Sequence, residues 1–214
     1  MAIFTLTDLT LAKVAVVRIL GIDPGTQVVG FGCLEVVVDG PRRSHGEVPL
    51  ALRAGNVMRL DSRASGDVRL LDAGVMLLGG RDTALPERLL ALADQFRGLL
   101  GQLQPNEIAL EEAFYGKSVQ AALRIGEARG VILAESARAG LPVHQFSPAR
   151  VKRCVTGHGA ASKDSVANMV AQLVRVGVRQ LAKGLPEDAT DALAVALTRL
   201  EARRSPLLQQ GCEG

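Results

Sequence analysis

The sequence predicts an α/β fold in which a mixed sheet, with antiparallel hairpin strands and later parallel strands, is flanked by helices. Two β-rich runs, Val14 to Leu20 and Val28 to Val38, are separated by a short turn segment and therefore favour a hairpin. An amphipathic pattern from Glu87 to Leu103 then precedes a short apolar run, Ile108 to Leu110. Helices that alternate with buried strands are typical of parallel pairing, which completes the prediction.

Asp23 follows the first of these strands, at the point where the chain must turn. The strand is rich in β-branched residues and shows no alternation, as expected of a strand buried on both faces. Pro24 favours an extended conformation at Asp23, and Gly25 can adopt the positive φ that a tight turn needs. Taken alone, Asp23 is equally well explained as a turn aspartate that hydrogen-bonds its own backbone.

Composition limits the classes of protein to which the chain can belong. It has 214 residues, 48% of them hydrophobic and 22% charged, which predicts an ordinary soluble protein with one well-filled core. The net charge of +3 is compatible with nucleic-acid binding without establishing it. The cysteines and histidines are scattered and lack metal-binding or disulfide spacing, so we expect a reducing compartment, the cytoplasm. They are Cys33, Cys154, Cys212, His45, His144 and His158.

We predict one domain, residues 18–204, with an N-terminal extension at 1–17 and a C-terminal tail at 205–214. Asp8 and Lys13 interrupt the apolar N-terminus in a way that argues against a signal peptide. No uncharged apolar stretch is long enough to cross a membrane. Residues 40–66 are rich in Gly, Pro, Arg and Ser and are interpreted as a surface insertion.

The middle of the chain supplies a second acidic position. After a strand predicted from Val68 to Leu78, Pro86 marks the first turn of the helix that runs to Leu103. The buried strand Ile108 to Leu110 then ends in Glu111 and Glu112. Periodicity in so short a strand does not choose between these two glutamates.

The next predicted helix, Ser118 to Ala139, repeats a small residue every four positions. Two glycines inside a helix cost about 1 kcal/mol each relative to alanine, so something must press closely on that face. Packing onto the protein's own sheet is one interpretation, and a two-fold interface with a second copy of the chain is the other. The small residues are Ala122, Gly126, Gly130 and Ala134.

A basic segment follows a short strand predicted from Leu141 to Phe146. Ser147 and Pro148 are typical of a helix start, and the helix to Val155 carries Arg150 and Lys152. The run GHGAASKDS, which contains Lys163, lacks the glycine and hydroxyl pattern of a nucleotide-binding P-loop. It suits contacts to DNA phosphates, although a solvated basic surface would have the same composition.

The last predicted helix begins near Pro186 and places Asp188 and Asp191 on one face of its first turns. Capping explains one acid there, because the helix dipole favours negative charge, but two inward acids need another counter-charge. Since sites in open α/β sheets lie beyond the carboxyl ends of strands, Asp23 and Glu111 could converge with this pair. Such a cluster suits Mg²⁺ or Mn²⁺, and two ions about 4 Å apart are the known arrangement for phosphodiester hydrolysis.

Four segments, GIDPGT, ALEEAF, ARVKRCVTGHGAASK and DATDALAVAL, resemble in order the RuvC-type crossover junction endodeoxyribonucleases. The resemblance covers nearly all of Arg18 to Leu200. It implies a ribonuclease H-like fold, a homodimer, and paired symmetric nicks across a four-way Holliday junction in recombination and repair. It also implies partners of the branch-migration type, RuvA and RuvB.

The resemblance assigns residues by motif. It implies that the catalytic and metal-binding acids are Asp23, Glu111, Asp188 and Asp191, with the first of the two glutamates chosen by the motif. Phe114 matches an aromatic residue that stacks at the junction, and Tyr115 and Lys117 flank it. Lys152 and Lys163 match DNA-contacting lysines, near Arg150, and the helix with the small residues matches the family's dimer helix.

The resemblance leads to a hypothesis of two-metal hydrolysis by an activated water, without a covalent intermediate. Two rivals come from other classes of protein. GIDPGT also resembles the phosphate loop of actin-like ATPases and sugar kinases, which need a second lobe that 214 residues do not provide. A non-catalytic junction-binding dimer on the same fold would not need all four acids.

Overall fold

The structure, a computed structural model, describes residues 15–38, 68–80, 82–112, 119–174 and 184–204. Several predicted features lie outside the described residues. They are residues 1–14 of the predicted extension, the predicted insertion at 40–66, the tail, Phe114, Tyr115 and Lys117. Across the ranges that are described, no helix is both long enough and apolar enough to span a membrane.

The described strands, numbered in chain order, are β1 Ala15–Asp23, β2 Val28–Val38, β3 Val68–Leu77, β4 Glu107–Glu111 and β5 Val143–Phe146. They form one mixed sheet in the order β3-β2-β1-β4-β5. The hairpin strands β1 and β2 pair antiparallel, β2 and β3 do likewise, and β1, β4 and β5 are parallel neighbours. This topology confirms the predicted combination of hairpin and parallel strands.

The predicted helices are present with ends shifted by a few residues. Pro148 begins one of them, although the side chain of the preceding Ser147 makes no capping hydrogen bond. Ser162 does cap its helix, accepting a hydrogen bond from the amide of Ser165 at 3.2 Å. The helices described are α1 Leu85–Leu103, α2 Val119–Arg138, α3 Pro148–Thr156, α4 Lys163–Leu173 and α5 Glu187–Arg204.

The helices form a layer on each face of the sheet. Alternate residues of β1 point to opposite faces, so Leu20 and Ile22 pack with α1 and α2, whereas Ile19 packs with α3, α4 and α5. Helix α5 is buried over most of its length. The even-numbered positions of β1 therefore face one layer, and the odd-numbered positions, including Asp23, face α5.

Helix α5 lies unusually close to the hairpin because glycines occupy the positions beneath it. A Cβ on Gly21 would lie 2.0 Å from the carbonyl oxygen of Ala192, and one on Gly32 would lie 2.5 Å from the Leu193 side chain. Real Cβ atoms do not approach other atoms so closely, so only glycine permits this contact. Because Gly21 and Gly32 have no side chains, the backbone of α5 can lie close to the sheet.

The far end of α5 is fixed to the start of β4 by a buried carboxylate. Glu107, only 3% exposed, accepts hydrogen bonds from Arg199 at 2.8 and 3.1 Å and from Arg203 at 3.1 Å. His144 lies 3.4 Å from the same carboxylate. A buried carboxylate needs such partners, and here they join the two elements that carry Glu111 and the Asp188–Asp191 pair at their other ends.

The turn after β1 differs in detail from its prediction. Gly25 does not adopt a positive φ; the described glycines that do are Gly79, Gly140, Gly157 and Gly184. A Cβ at Gly25 would instead lie 2.0 Å from the carbonyl oxygen of Val28. Glycine is needed at this position because two backbone segments approach each other, rather than because of the φ angle.

Candidate active site

Asp23 and Glu111 lie side by side at the carboxyl ends of two parallel strands. Ile22 is in register with Leu110, so the next residue of each strand projects from the same face of the sheet. The two carboxyl groups lie close enough to interact through a hydrogen bond. Glu112, one residue further, is exposed. The strand register therefore favours Glu111, in agreement with the motif, where periodicity alone could not choose between the two glutamates.

The shared environment makes these two carboxyl groups hard to ionise. Burial, the hydrogen-bonding interaction with Glu111 and the charges of Glu111, Asp191 and Asp188 together raise the pKa of Asp23 from 3.8 to about 8, with burial the largest cause. Burial also raises the pKa of Glu111, although its hydrogen bond with Asp23 partly opposes this. Two carboxyl groups so close together do not ionise readily, and a bound cation would favour the ionised form of both.

The start of α5 brings Asp188 onto the hairpin next to Asp23. Gly30 is the antiparallel partner of Asp23, and a Cβ on Gly30 would lie 2.0 Å from the carbonyl oxygen of Asp188 and 3.0 Å from its Cβ. Asp188 is half-buried. The same glycine contacts that seat α5 on the sheet therefore place this acid beside the end of β1.

Asp191, one turn later on α5, faces a lysine from the basic segment. Its Oδ2 lies 3.5 Å from the Nζ of Lys163, which also lies 2.5 Å from Oε1 of Glu187. Burial raises the pKa of Asp191, and the charge of Lys163 opposes that change. The hydrogen bond to Glu187 raises the pKa of Lys163. Lys163 is therefore a fixed positive charge at the edge of the acidic cluster.

The donor set of the four acids fits a hard divalent cation, because it consists of carboxylate oxygens alone. All four are half-buried, and their charges influence one another. In the described part of the chain, no three His, Cys, Asp or Glu side chains are already spaced to hold a metal ion. The acids are instead paired, Asp23 with Glu111 and Asp191 with Lys163.

Comparison with known proteins identifies the family. A family model described as "Crossover junction endodeoxyribonuclease RuvC" matches residues 55–199. A protein of that name from Chloroflexus aggregans is 36% identical over 90% of this chain and 97% of its own length, and one from Roseiflexus sp. is 34% identical over 92% and 97%. The chain belongs to the RuvC family. The family-model match includes Glu111, Asp188 and Asp191 and begins after Asp23.

Solved structures agree with this assignment. The Thermus thermophilus RuvC solved in complex with a Holliday junction substrate has a TM-score of 0.67 and 27% identity, covering 89% of this chain and 96% of that one. This similarity confirms the predicted ribonuclease H-like fold. Membership in the RuvC family of endodeoxyribonucleases implies dependence on a divalent metal ion in general.

The basic residues predicted to contact DNA differ in how close they lie to the acidic cluster. Lys152, half-buried on α3, and Lys163 lie near enough to Glu111 that their charges lower its pKa against the effect of burial. The guanidinium of Arg150 instead lies 5.1 Å from the centre of the Phe146 ring, stacked within the protein. Of the predicted DNA-contacting cations that the structure describes in this RuvC chain, Lys152 and Lys163 therefore lie near the candidate site, whereas Arg150 packs on Phe146.

The exposure of the small residues on α2 tests one of the two interpretations of their four-residue spacing. Gly126 and Gly130 are exposed, and a Cβ on either would meet nothing within 4 Å. Ala134 is exposed and Ala122 is half-buried, whereas Ala128 and Ile132 carry the packing of α2 onto the sheet layer. The interpretation of close packing onto the protein's own sheet is wrong. The glycine face of this RuvC helix points away from its core.

Two arginines that the sequence did not single out hold the backbone at the acid-bearing strand ends. Arg88 of α1, 8% exposed, donates to the carbonyl of Thr26 at 2.9 Å, three residues after Asp23. Arg129 of α2 donates to the carbonyl of Glu111. Glu187, which forms an ion pair with Lys163, is a third residue that the sequence did not single out. Their roles depend on contacts between distant segments, and no local spacing in the sequence indicates them.

Proposed function

We propose that this chain is a Holliday junction resolvase in which Asp23, Glu111, Asp188 and Asp191 hold the divalent metal ions required for cleavage. The observation that carries the proposal is the pairing of Asp23 with Glu111 beneath the start of α5, in a chain of the RuvC family. The Thermus thermophilus relative was solved with a Holliday junction substrate. By that similarity, we infer that the substrate here is a four-way DNA junction.

The four carboxylates would hold Mg²⁺ or Mn²⁺, with two ions in each site. When bound, such ions supply the charge stabilisation and water activation used in phosphodiester hydrolysis. Asp23 and Glu111 would be ionised on loading, because carboxylates bind metal in their ionised form. The proximity of these acids and their raised pKa values support this role, since the charges of Lys152 and Lys163 only partly offset the effect of burial on Glu111.

Lys163 is proposed to act on the phosphate rather than on the metal. Its ammonium, 3.5 Å from Asp191, stands at the edge of the cluster, where it can neutralise charge that develops on phosphorus oxygens. Lys152 would contact a DNA phosphate nearby, and Arg150 would contribute to the same basic surface. We propose that Phe114 stacks on a base at the junction, with Tyr115 and Lys117 beside it.

The active form is proposed to be a homodimer that pairs the exposed face of α2 with its copy. Support comes from the open space above Gly126 and Gly130 and from the exposure of Leu123 at 64% and Val119 at 56% on this helix. Two-fold symmetry would present two identical sites to two strands of one junction. A branch-migration complex of the RuvA and RuvB type is the proposed partner, and the cytoplasm the proposed location.

The decisive experiment replaces a proposed metal ligand without changing its shape. Asp191→Asn should bind a synthetic four-way junction as tightly as the unmodified protein does, because phosphate contacts dominate affinity. We expect Mg²⁺- or Mn²⁺-dependent cleavage to fall by at least about 1000-fold, since one ligand is lost from an electrostatic site. Junction binding by gel shift and single-turnover cleavage measure the two quantities.

Asp94→Asn serves as the control, because Asp94 is an exposed acid on α1 that pairs with Arg97 at 3.4 Å. Asp94→Asn should leave both junction binding and single-turnover cleavage unchanged. Full cleavage by Asp191→Asn would remove that residue from the site. Junction binding without cleavage by the unmodified protein, at any metal concentration, would favour the non-catalytic alternative.

A further inference from the structure

Arg129 connects the exposed helix α2 to the end of the strand that carries Glu111. Its Nη1 donates to the Glu111 carbonyl oxygen, and its Nη2 donates to Oε1 of Gln145 on the neighbouring strand β5. The side chain is half-buried, and burial lowers its pKa while the charges of Glu112 and Glu111 raise it. One guanidinium therefore bridges the carboxyl ends of β4 and β5.

Arg129 reaches the end of β4 from one face of the sheet, whereas the proposed metal-binding acids lie on the other face. Helices α1 and α2 pack on the face that Leu110 and Ile22 occupy, whereas Ala109 packs on the α5 side. Glu111, two residues after Ala109, projects toward α5. Arg129 thus leaves the carboxylate free and fixes only the backbone from which it projects.

The end of β4 has few other constraints among the described residues. Beyond its pairing with β1 and β5, the one further backbone bond is from the amide of Glu112 to the carbonyl of Phe146 at 2.9 Å. Because its two donors have a fixed geometry and contact Glu111 and Gln145, the planar guanidinium restricts the Glu111 carbonyl relative to β5 more than a single flexible contact would. Arg129 of α2 is therefore one of the few contacts that hold the backbone at Glu111.

We propose that Arg129 is a positioning residue, which sets the Glu111 carboxylate for metal binding and links α2 to the active site through the Glu111 carbonyl. This inference rests on the proposed function, because it takes Glu111 to be a metal ligand. Residues that orient a metal ligand affect metal affinity by about 10- to 100-fold in other proteins. Arg129 differs from such residues only in acting on the ligand's backbone.

The test compares Arg129→Ala and Arg129→Lys with Arg124→Ala as the matched control. Arg124 is on the same helix, and the structure gives it no hydrogen bond or ion pair with another described residue. Mn²⁺ binding to the DNA-free protein, followed by electron paramagnetic resonance of free Mn²⁺, is measured beside the metal dependence of single-turnover cleavage. Thermal unfolding followed by circular dichroism verifies that each variant is folded.

We expect Arg129→Ala to weaken Mn²⁺ binding by at least about 10-fold and to raise the metal concentration for half-maximal cleavage equally, with junction binding within about 2-fold. Arg129→Lys should recover only part of this loss, because lysine is a point charge without the two-donor fork. Arg124→Ala should match the unmodified protein. If Arg129→Ala folds less stably, the lysine variant still distinguishes positioning from stability.

Unchanged Mn²⁺ affinity in a folded Arg129→Ala protein would overturn the inference, and complete recovery by lysine would overturn the two-donor mechanism. Neither result would affect the proposed function, which the Asp191→Asn experiment tests separately. Conversely, if Glu111→Gln left Mn²⁺ binding unchanged, Glu111 would not be a ligand, and the proposed function and this inference would both fail.

Discussion

At the scale of single residues, the carboxyl groups of the site are defined by what surrounds them rather than by their own chemistry. Asp94 is exposed beside Arg97, whereas Asp23 is half-buried beside three other acids. Burial and neighbouring negative charge both disfavour ionisation, so Asp23 retains a proton near neutral pH without a cation. The same residue type is thus a surface charge at one position and a proposed metal ligand at another.

This environment predicts a pH dependence of stability in the presence of a chelator. The pKa of Asp23 is about 8 in the folded protein against an ordinary 3.8, so between these pH values the folded state binds a proton that the unfolded state has released. The free energy of unfolding should therefore decrease as pH rises from about 4 to about 8. Urea unfolding in a chelator at several pH values measures this slope.

Asp23→Asn should remove the largest part of that slope, and Asp94→Asn should leave it intact. Glu111 and Asp191, whose pKa values are also raised by burial, contribute to the slope in the same direction. A slope of the opposite sign in both the unmodified protein and Asp94→Asn would contradict a buried Asp23 that holds its proton in the folded state.

At the scale of elements, the position of α5 depends on what the hairpin lacks. Gly21, Gly30 and Gly32 leave room for the α5 backbone, and the helix lies directly on them. Asp188 and Asp191 reach the end of β1 only because the helix is this close. The anchor at Glu107 fixes the other end of the same helix. The helix is therefore held at both ends against the central strands.

Gly30→Ala should displace the start of α5, because its Cβ would lie 2.0 Å from the Asp188 carbonyl oxygen. We expect a loss of about 1 to 3 kcal/mol in the free energy of unfolding, the usual cost of overpacking, together with weaker metal-dependent cleavage. Gly101→Ala on α1 is the control, since nothing lies within 4 Å of its added Cβ.

The control should gain up to about 1 kcal/mol from helix propensity alone. Chemical denaturation of both variants provides the comparison. Equal stability of the two variants would indicate that α5 can move away from the hairpin at little cost.

At the scale of the whole molecule, the site lies between two helical layers with different tasks. The layer containing α5 supplies Asp188, Asp191 and Lys163 to the cluster. The layer containing α1 and α2 supplies Arg88 and Arg129, which hold the backbone at the ends of β1 and β4 from the other side. Since the proposed dimer face is also on α2, assembly and active-site geometry would share one helix.

The proposed dimer predicts a specific effect of a bulky side chain on the exposed face of α2. Gly130→Gln should raise the dimer dissociation constant at least about 10-fold, equivalent to 1.4 kcal/mol, because the glutamine would occupy space between the two helices. Analytical ultracentrifugation measures the constant. Gly101→Gln, also at an exposed helical glycine with open space around it, should leave the dimer unchanged.

Helix propensity favours glutamine over glycine, so the isolated fold of Gly130→Gln should not be weakened. A dimer as tight as that of the unmodified protein would place the interface elsewhere on the molecule.

The sequence by itself determined the order and type of the elements and the positions of Asp23, Glu111 or Glu112, Asp188 and Asp191 at their ends, because periodicity and turn chemistry are local properties. Tertiary structure decided the rest. Strand register favoured Glu111 over Glu112 in agreement with the motif, glycine contacts set the depth of α5, and the packing of α2 exposed its glycines. Arg88 and Arg129 contact backbone atoms many residues away, and such contacts exist only once the layers have packed around the sheet.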